Sequence, residues 1–220
     1  MTPRQPPRHY HYVTLGADIY VDSFATIRRE TDLSAVPADA ERLAVRMIHG
    51  SGQVDLVRDL VIHDGLVGAA RGALEAGAPI LCDATMVATG VTRARLPRDN
   101  EVLCLLNDPL VPALAREWST TRTAAAVSLW EPILDGAVVA IGNAPTALFH
   151  LLELIRDGGP RPAAIVGCPV GFIGAAESKE ALIAFAAGTG IDIPYVTVRG
   201  RRGGSAMTSS ALNALAQEKE

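Results

Sequence analysis

The fold is decided by a short stretch at positions 137–145, which reads AVVAIGNAP. Its first five residues are apolar, and this predicts a strand buried on both faces, as in a parallel sheet. Gly142 ends the strand, Asn143 suits the N-cap of a helix, and Pro145 suits the first helical turn. The stretch therefore predicts a strand, a tight turn and a helix in succession, the beginning of a βαβ unit.

The same alternation of apolar runs and amphipathic segments continues on both sides of this stretch. It predicts further strands at 79–82, 102–106, 163–166 and 194–198, and helices at 66–76, 109–118, 145–157, 178–187 and 205–217. Apolar residues at helical spacing predict two N-terminal helices, at 17–30 and 38–48. The sequence therefore predicts an α/β protein with a mainly parallel sheet of about five strands plus N-terminal helices.

Length and composition restrict the class of protein. The chain has 220 residues, 49% of them hydrophobic and 20% charged, with a net charge of −4. No linker divides it, so we predict one domain at 17–220 after a loose tail at 1–16. No stretch is apolar for the roughly 20 residues that a bilayer requires, and no secretory signal is apparent. We expect a cytoplasmic protein with reduced cysteines and no membrane partner, and its acidity argues against a nucleic-acid partner.

Three glycine-rich loops, at 142–146, 167–174 and 200–205, follow predicted strands and precede predicted helices. In open α/β sheets ligands bind at such loops, where backbone N–H groups attract anions. Dinucleotide-binding and Walker A motifs are absent from the sequence, so we expect neither NAD nor ATP. The arginines indicate an anionic small molecule, since arginine binds carboxylate or phosphate; those predicted to face the crevice are Arg93, Arg95, Arg98, Arg122, Arg199, Arg201 and Arg202.

His49 is the candidate for proton transfer. It precedes Gly50-Ser51-Gly52, which we interpret as a flexible turn, and an ordinary imidazole pKa near 6.5 suits an acid–base role. A structural histidine is the alternative, and we interpret His63 and His150 in that way. The sequence has neither the G-x-S-x-G motif of a serine hydrolase nor a metal-ligand spacing.

Eight blocks in the chain carry a resemblance to a known family. They read IYVDSFATIR (19–28), VRMIH (45–49), APILCD (78–83), TRTAA (121–125), AIGNAPTAL (140–148), PVGF (169–172), AESK (176–179) and VRGRRGGSAM (198–207). In this order they resemble the precorrin-8X methylmutases of corrin (vitamin B12) biosynthesis, over residues 17 to 215. Two departures are Gly50-Ser51-Gly52, where the family usually reads Ala-Cys-Gly, and a longer segment before Ile19.

The resemblance implies a flavodoxin-like three-layer α/β fold, a homodimer, and an isomerase that needs neither metal nor organic cofactor. The implied reaction moves a methyl group from carbon 11 to carbon 12 of precorrin-8X, giving hydrogenobyrinate by an acid-assisted sigmatropic shift. His49 matches the catalytic acid, and Ser23 and Arg122 match residues at the bound corrinoid. The other residues that we assign to substrate binding are Tyr20, Thr121, Lys179, Arg199 and Arg201. Whether the substrate contains cobalt stays open.

Two other functions are consistent with the residues. A non-catalytic corrinoid carrier on the same fold would bind the same ligand without converting it. Without the resemblance, the glycine-rich loops also suit an enzyme that acts on a phosphorylated metabolite.

Overall fold

The computed structural model describes residues 2–217. Its strands are β1 (Leu60–Ile62), β2 (Ile80–Cys82), β3 (Val102–Leu103), β4 (Val138–Ile141), β5 (Ala164–Gly167) and β6 (Tyr195–Val198). They form a six-stranded sheet in the order β1-β6-β5-β4-β2-β3. The last five strands along the chain are parallel, and β1 pairs antiparallel with β6 at the edge, with Leu60 opposite Val198.

The order of the five parallel strands identifies the fold. Counted along the chain from β2, they lie in the order 2-1-3-4-5, which is the flavodoxin order. The strand order reverses between β2 and β4, and such a switch point is a usual ligand site in these sheets. The predicted α/β fold with about five parallel strands is therefore confirmed.

Nine α-helices surround the sheet in the described part of the chain. They are α1 (Gly16–Glu30), α2 (Glu41–Ser51), α3 (Leu66–Glu75), α4 (Thr85–Gly90), α5 (Val111–Glu117), α6 (Arg122–Ser128), α7 (Pro145–Arg156), α8 (Ala175–Thr189) and α9 (Ser205–Leu215). The predicted helices are all present, although a 3-10 turn at Ala38–Ala40 precedes α2. The structure adds β1, α4 and α6, and it shortens the strand predicted at 102–106 to β3.

The sheet separates two apolar cores, as a three-layer fold requires. Along β4, Val138 and Ala140 belong to the core that also contains residues of α1, α2, α3 and α9. Val139 and Ile141 belong to the core that contains residues of α7 and α8. All four residues of β4 are buried, and each large one stabilises the fold by roughly 1.5–3 kcal/mol. The two-faced burial predicted for this strand is confirmed.

The described helices include none that is both long and apolar enough to cross a membrane. The three cysteines are free thiols, and Cys82 and Cys168 are buried. Residues 2–15 contain no helix or strand and precede α1 directly.

Candidate active site

The loop after β4 is filled by the protein itself. The carboxylate of Asp83, which directly follows β2, accepts hydrogen bonds of 2.9, 2.9 and 2.7 Å from the backbone N–H groups of Gly142, Asn143 and Ala144. Asp83 is buried, and burial raises the pKa of its carboxyl group while these three hydrogen bonds lower it. The expectation that this loop offers its N–H groups to a ligand is wrong, since a built-in carboxylate occupies them.

The loops after β5 and β6 remain open and form a cleft of about 410 Å³, which we call the loop cleft. The two loops approach closely: Gly204 donates a backbone hydrogen bond of 2.9 Å to Cys168, and Gly171 one of 3.2 Å to Arg201. A Cβ atom on Gly203 would collide with the carbonyl oxygens of Cys168 and Pro169, so only glycine fits there. The lining residues are Gly50, Ser51, Gln53, Val170, Gly171, Phe172, Arg201, Arg202, Gly203, Ala206 and Met207.

Two neighbouring arginines have different roles in the loop cleft. Arg202 forms ion pairs with Asp55, at 2.9 Å, and with Asp59, so its charge holds the loop to the segment after α2. Arg201 lies with its guanidinium carbon 5.1 Å from the centre of the Phe172 ring, and that ring is 80% exposed. Arg201 and Phe172 therefore present a cation and an aromatic face to the cleft together.

Lys179 lies beneath the loop rather than in the cleft. It is fully buried, and its Nζ donates a hydrogen bond of 2.5 Å to the backbone carbonyl of Arg202. Burial lowers the pKa of the Lys179 ammonium group, while the adjacent Cys168, Asp59 and Glu180 raise it. The Lys179 ammonium group thus binds the backbone of the loop, and Lys179 does not line the cleft.

His49 lies in the last turn of α2, where it contacts α1. Its Nδ1 is 2.8 Å from the hydroxyl oxygen of Ser23. The imidazole also packs against two rings of α1, with centroid distances of 5.3 Å to Tyr20 and 5.2 Å to Phe24. The structure thus brings together His49, Ser23 and Tyr20 from the predicted set.

The residues after His49 are helical, so the expected flexible turn is wrong. Helix α2 continues to Ser51 and ends at Gly52, which adopts φ +68° and closes the helix with a backbone hydrogen bond to Ile48. A Cβ atom on Gly50 would collide with Ser210 of α9. The glycine therefore allows α9 to approach the helix that carries His49.

The pKa of His49 is lowered from its ordinary value of 6.5, first by burial and then by the charge of Arg46. Arg46 lies one helical turn before His49 and is itself only 7% exposed. Its guanidinium carbon is 5.2 Å from the centre of the Phe24 ring, whose edge contacts the imidazole. Burial and Arg46 both therefore favour the neutral form of the imidazole.

Two cavities other than the loop cleft contact His49. One of about 310 Å³, the helix cavity, is lined by Asp22, Ser23, Thr26, Ile27, Glu30, Ile48, His49, Gly52 and Val54. The other, of about 110 Å³, which we call the arginine recess, is lined by Tyr20, Arg46, His49, Thr92, Arg95, Ser210 and Asn213. Arg95, predicted to face the crevice with the loop arginines, instead lies beside His49.

The remaining predicted residues lie elsewhere in the single chain. Arg122 donates hydrogen bonds of 3.0 Å to the Leu106 carbonyl and 3.1 Å to Asn107. Thr121 caps α6 through its hydroxyl oxygen, which accepts a hydrogen bond from Ala124, and Arg199 forms an ion pair with Glu180. Within residues 2–217, none of these three lines the loop cleft, the helix cavity or the arginine recess.

The other two histidines of the folded region have their own partners. His63 lies 3.0 Å from a carboxylate oxygen of Asp192. His150 lies 2.7 Å from the hydroxyl oxygen of Ser128. Over residues 2–217, no three His, Cys, Asp or Glu side chains are placed to hold a metal ion.

Sequence reasoning did not single out Arg46 or place Arg95 at the histidine. For Arg46 the available signal was a charge on the apolar face of a helix, three residues before His49. For Arg95 no local signal exists, because the segment before β3 reaches α2 only through the tertiary fold.

Comparisons with known proteins identify the family of this chain. A family model described as precorrin-8X methylmutase matches residues 18–218. A precorrin-8X methylmutase of Pseudomonas aeruginosa is 59% identical over 95% of this chain and 99% of its own length. A cobalt-precorrin-8 methylmutase of Priestia megaterium is 35% identical over 88% of this chain and 84% of its own length.

Solved structures with the same fold carry related names. The precorrin-8X methyl mutase of Thermus thermophilus is 38% identical, covers 91% of this chain and 95% of its own, and has a TM-score of 0.81. A second structure, named a precorrin-8X methylmutase related protein, is 31% identical with a TM-score of 0.77 and covers 88% of this chain and 98% of its own.

Proposed function

Since this chain belongs to the precorrin-8X methylmutase family, the isomerases of cobalamin biosynthesis, we propose that it moves the methyl group from carbon 11 to carbon 12 of precorrin-8X. The product is hydrogenobyrinate, and His49 is the acid that drives the shift. One observation carries the proposal: His49, hydrogen-bonded to Ser23, directly precedes Gly50 and Ser51, which line the cleft that presents Arg201 and Phe172.

Ser23 suits a histidine that changes protonation state. A hydroxyl group both donates and accepts hydrogen bonds. It accepts from Nδ1–H when the ring is charged and still accepts after the ring has given up its Nε2 proton, and it can donate to Nδ1 in the other neutral tautomer. The hydrogen bond at 2.8 Å therefore persists in both states and keeps the ring in one orientation.

The chemical step needs one proton, which His49 donates and later recovers. His49 donates it from Nε2 to the conjugated macrocycle, the double bonds shift, and the methyl group migrates to the neighbouring carbon. The macrocycle then returns a proton to His49, so atoms and charge balance and substrate and product are isomers. General-acid catalysis of this kind typically contributes 10²- to 10⁴-fold in rate.

The loop cleft suits the substrate, which is a broad apolar ring with carboxylates at its edge. The Phe172 ring offers an apolar face, and Arg201 offers a carboxylate partner beside it. The cleft volume of about 410 Å³ falls within the ~300–1,000 Å³ of small-molecule sites. Lys179 contributes by positioning the loop, because its buried ammonium group holds the Arg202 carbonyl.

A homodimer is part of the proposal. Leu110 and Trp118 flank α5 and are 59% and 44% exposed, and α5 packs against α6, which begins with Arg122. Exposed apolar residues of this kind often mark an interface. We assign Arg122, Thr121 and Arg199 to the edge of the bound corrinoid, with Arg122 pairing with a carboxylate. We also assign the enzyme to the cytoplasm.

We propose the cobalt-free substrate. Two relatives at 59% identity are named precorrin-8X methylmutases, whereas those named cobalt-precorrin-8 methylmutases are 30% to 35% identical. Side-by-side turnover of the two substrates tests this choice, and faster turnover of the cobalt form would contradict it.

The test of the reaction is the absorption spectrum of the purified protein with precorrin-8X. We expect conversion to the spectrum of hydrogenobyrinate, with many product molecules formed per protein. Binding without conversion would favour the corrinoid carrier. If the spectrum does not change at all, the alternative in which the glycine-rich loops bind a phosphorylated metabolite is favoured.

A further inference from the structure

The arginine recess is a small cationic space beside the imidazole. Its lining residues include Arg46 and Arg95 together with His49. The other lining residues are hydroxyl- or amide-bearing: Tyr20, Thr92, Ser210 and Asn213. In the part of the chain that the structure describes, no residue lining the recess carries a carboxylate. Guanidinium groups and hydroxyls converging on one space are the donors that a carboxylate binds.

The volume of the arginine recess limits its occupant. At about 110 Å³ it offers room for a few water molecules, each of which takes ~30 Å³ in the liquid. A single carboxylate group fits, whereas a tetrapyrrole ring does not. The ring itself must therefore lie outside the recess, with only one peripheral side chain entering it.

His49 separates this recess from a cavity of opposite character. The helix cavity on its other boundary is lined by the carboxylates of Asp22 and Glu30. The imidazole therefore lies between an anionic and a cationic space. An anion entering the arginine recess would meet His49 and two arginines, and one entering the helix cavity would meet two carboxylates.

We propose that the arginine recess binds one carboxylate of the substrate and that this carboxylate favours the protonated, acid form of the His49 imidazole. The inference rests on the proposed function, whose substrate carries several carboxylates. It assigns Arg95 and Arg46 to substrate recognition and makes the acid more available when the substrate is seated.

Electrostatics explains why an occupied recess changes His49. The titratable and charged residues that line the two cavities beside the imidazole are Tyr20, Asp22 and Glu30 from α1, Arg46 from α2, and Arg95 from the turn before β3; α9 contributes the uncharged Ser210 and Asn213. Burial and Arg46 lower the pKa of His49 in the empty site. A carboxylate adjacent to both arginines offsets their charge and directly favours the imidazolium. The position of His49 in the last turn of α2 favours the cation further.

Acetate is the probe for this recess, since it is a free carboxylate and requires no turnover. The pKa of His49 is measured by NMR titration of the ligand-free protein, in sodium acetate and in sodium chloride at equal ionic strength. We expect acetate to raise the pKa of His49 by about one unit and to leave that of His150 unchanged.

Two matched variants locate the effect. Arg95→Gln removes a recess wall, while Arg93→Gln changes an arginine of the same 3-10 turn that lies outside the recess. The acetate-induced shift should disappear in Arg95→Gln and persist in Arg93→Gln. Acetate without effect on wild type, or an equal shift in Arg95→Gln, would overturn the proposal. Because this readout is independent of methyl migration, a shift in a protein that fails to convert precorrin-8X would refute the proposed function alone.

Discussion

Two serine–histidine hydrogen bonds of nearly equal length lie in different parts of this molecule. Ser23 is 2.8 Å from His49, between α1 and α2, and Ser128 is 2.7 Å from His150, between α6 and α7. Burial is the main cause that lowers the pKa of both imidazoles from 6.5. The serine–histidine hydrogen bond and the effect of burial are therefore the same at both sites and do not distinguish them.

Their surroundings differ in the sign of the charge. Arg46 lowers the pKa of His49, and Arg46 and Arg95 line the recess beside it. Glu153 raises the pKa of His150, and the cavity there is lined by Glu131, Glu153 and Asp157. A carboxylate is attracted to the arginine recess beside His49 and repelled by the cavity beside His150. The nearby charges and cavities, rather than the hydrogen bond, support our proposal that His49 is the functional histidine.

Replacing each histidine by asparagine should give the largest difference between the two sites. His49→Asn removes the acid, so we expect turnover of precorrin-8X to fall by about 10²- to 10⁴-fold, with binding nearly unchanged. His150→Asn should retain wild-type turnover. Steady-state kinetics and corrinoid binding by absorbance check both variants. Equal losses in the two variants would remove the distinction between the sites.

The charge difference is tested by neutralising one group near each site. Arg201→Gln removes the cation of the loop cleft, and we expect product affinity to fall about tenfold, equivalent to ~1.4 kcal/mol. Glu153→Gln, beside His150, should leave affinity unchanged. Fluorescence or absorbance titration with hydrogenobyrinate measures both. Weaker binding by Glu153→Gln would indicate that the ligand lies beside His150, on the other side of the sheet from His49.

Removing each serine hydroxyl should have a smaller effect. Ser23→Ala loses a hydrogen bond that orients the imidazole. A hydrogen bond of ~0.5–1.5 kcal/mol corresponds to a loss in kcat of up to about tenfold. Ser128→Ala should match wild type in kcat. The contrary result, unchanged kcat in Ser23→Ala, would show that packing against Tyr20 and Phe24 orients His49 without the hydroxyl.

Stability against pH should show the smallest effect, and here the two histidines act alike. Each has a folded-state pKa below the unfolded value of 6.5, so the unfolded chain binds more protons as the pH falls through 6.5. The free energy of unfolding should therefore decrease below pH 6.5. Either histidine-to-asparagine variant should reduce the slope, as measured by urea midpoints from pH 7.5 to 5.5. A slope unchanged in both variants would contradict the pKa directions.

The parallel sheet was predictable because its strands are locally distinctive. The stretch at 137–145 combines a two-faced apolar run with helix-start residues, and β4 and α7 appear as expected, although the N-cap of α7 is Ala144 and not Asn143. Strand β1 was not predictable, because it is a short, half-buried edge strand whose pairing with β6 is set by tertiary contact. Helices α4 and α6, with six and seven residues, are too short to show a period.

For the candidate site, the sequence indicated which residues to consider but not how they are arranged in space. The resemblance identified His49 and Ser23, and their contact follows from the packing of α1 on α2. The glycine-rich loop after β4 looked like an anion site, yet Asp83, about 60 residues earlier, supplies the anion. Lys179 was assigned to the substrate, whereas its burial and its bond to Arg202 depend on a loop that folds over it.

The fate of a ¹³C-labelled methyl group on carbon 11 of precorrin-8X tests the central claim most directly. NMR of the isolated macrocycle after incubation shows where the label lies. We predict that wild type and His150→Asn move the label to carbon 12 of the same molecule, and that His49→Asn leaves it on carbon 11. A label that stays on carbon 11 with wild type, or that migrates equally well with His49→Asn, would contradict the account.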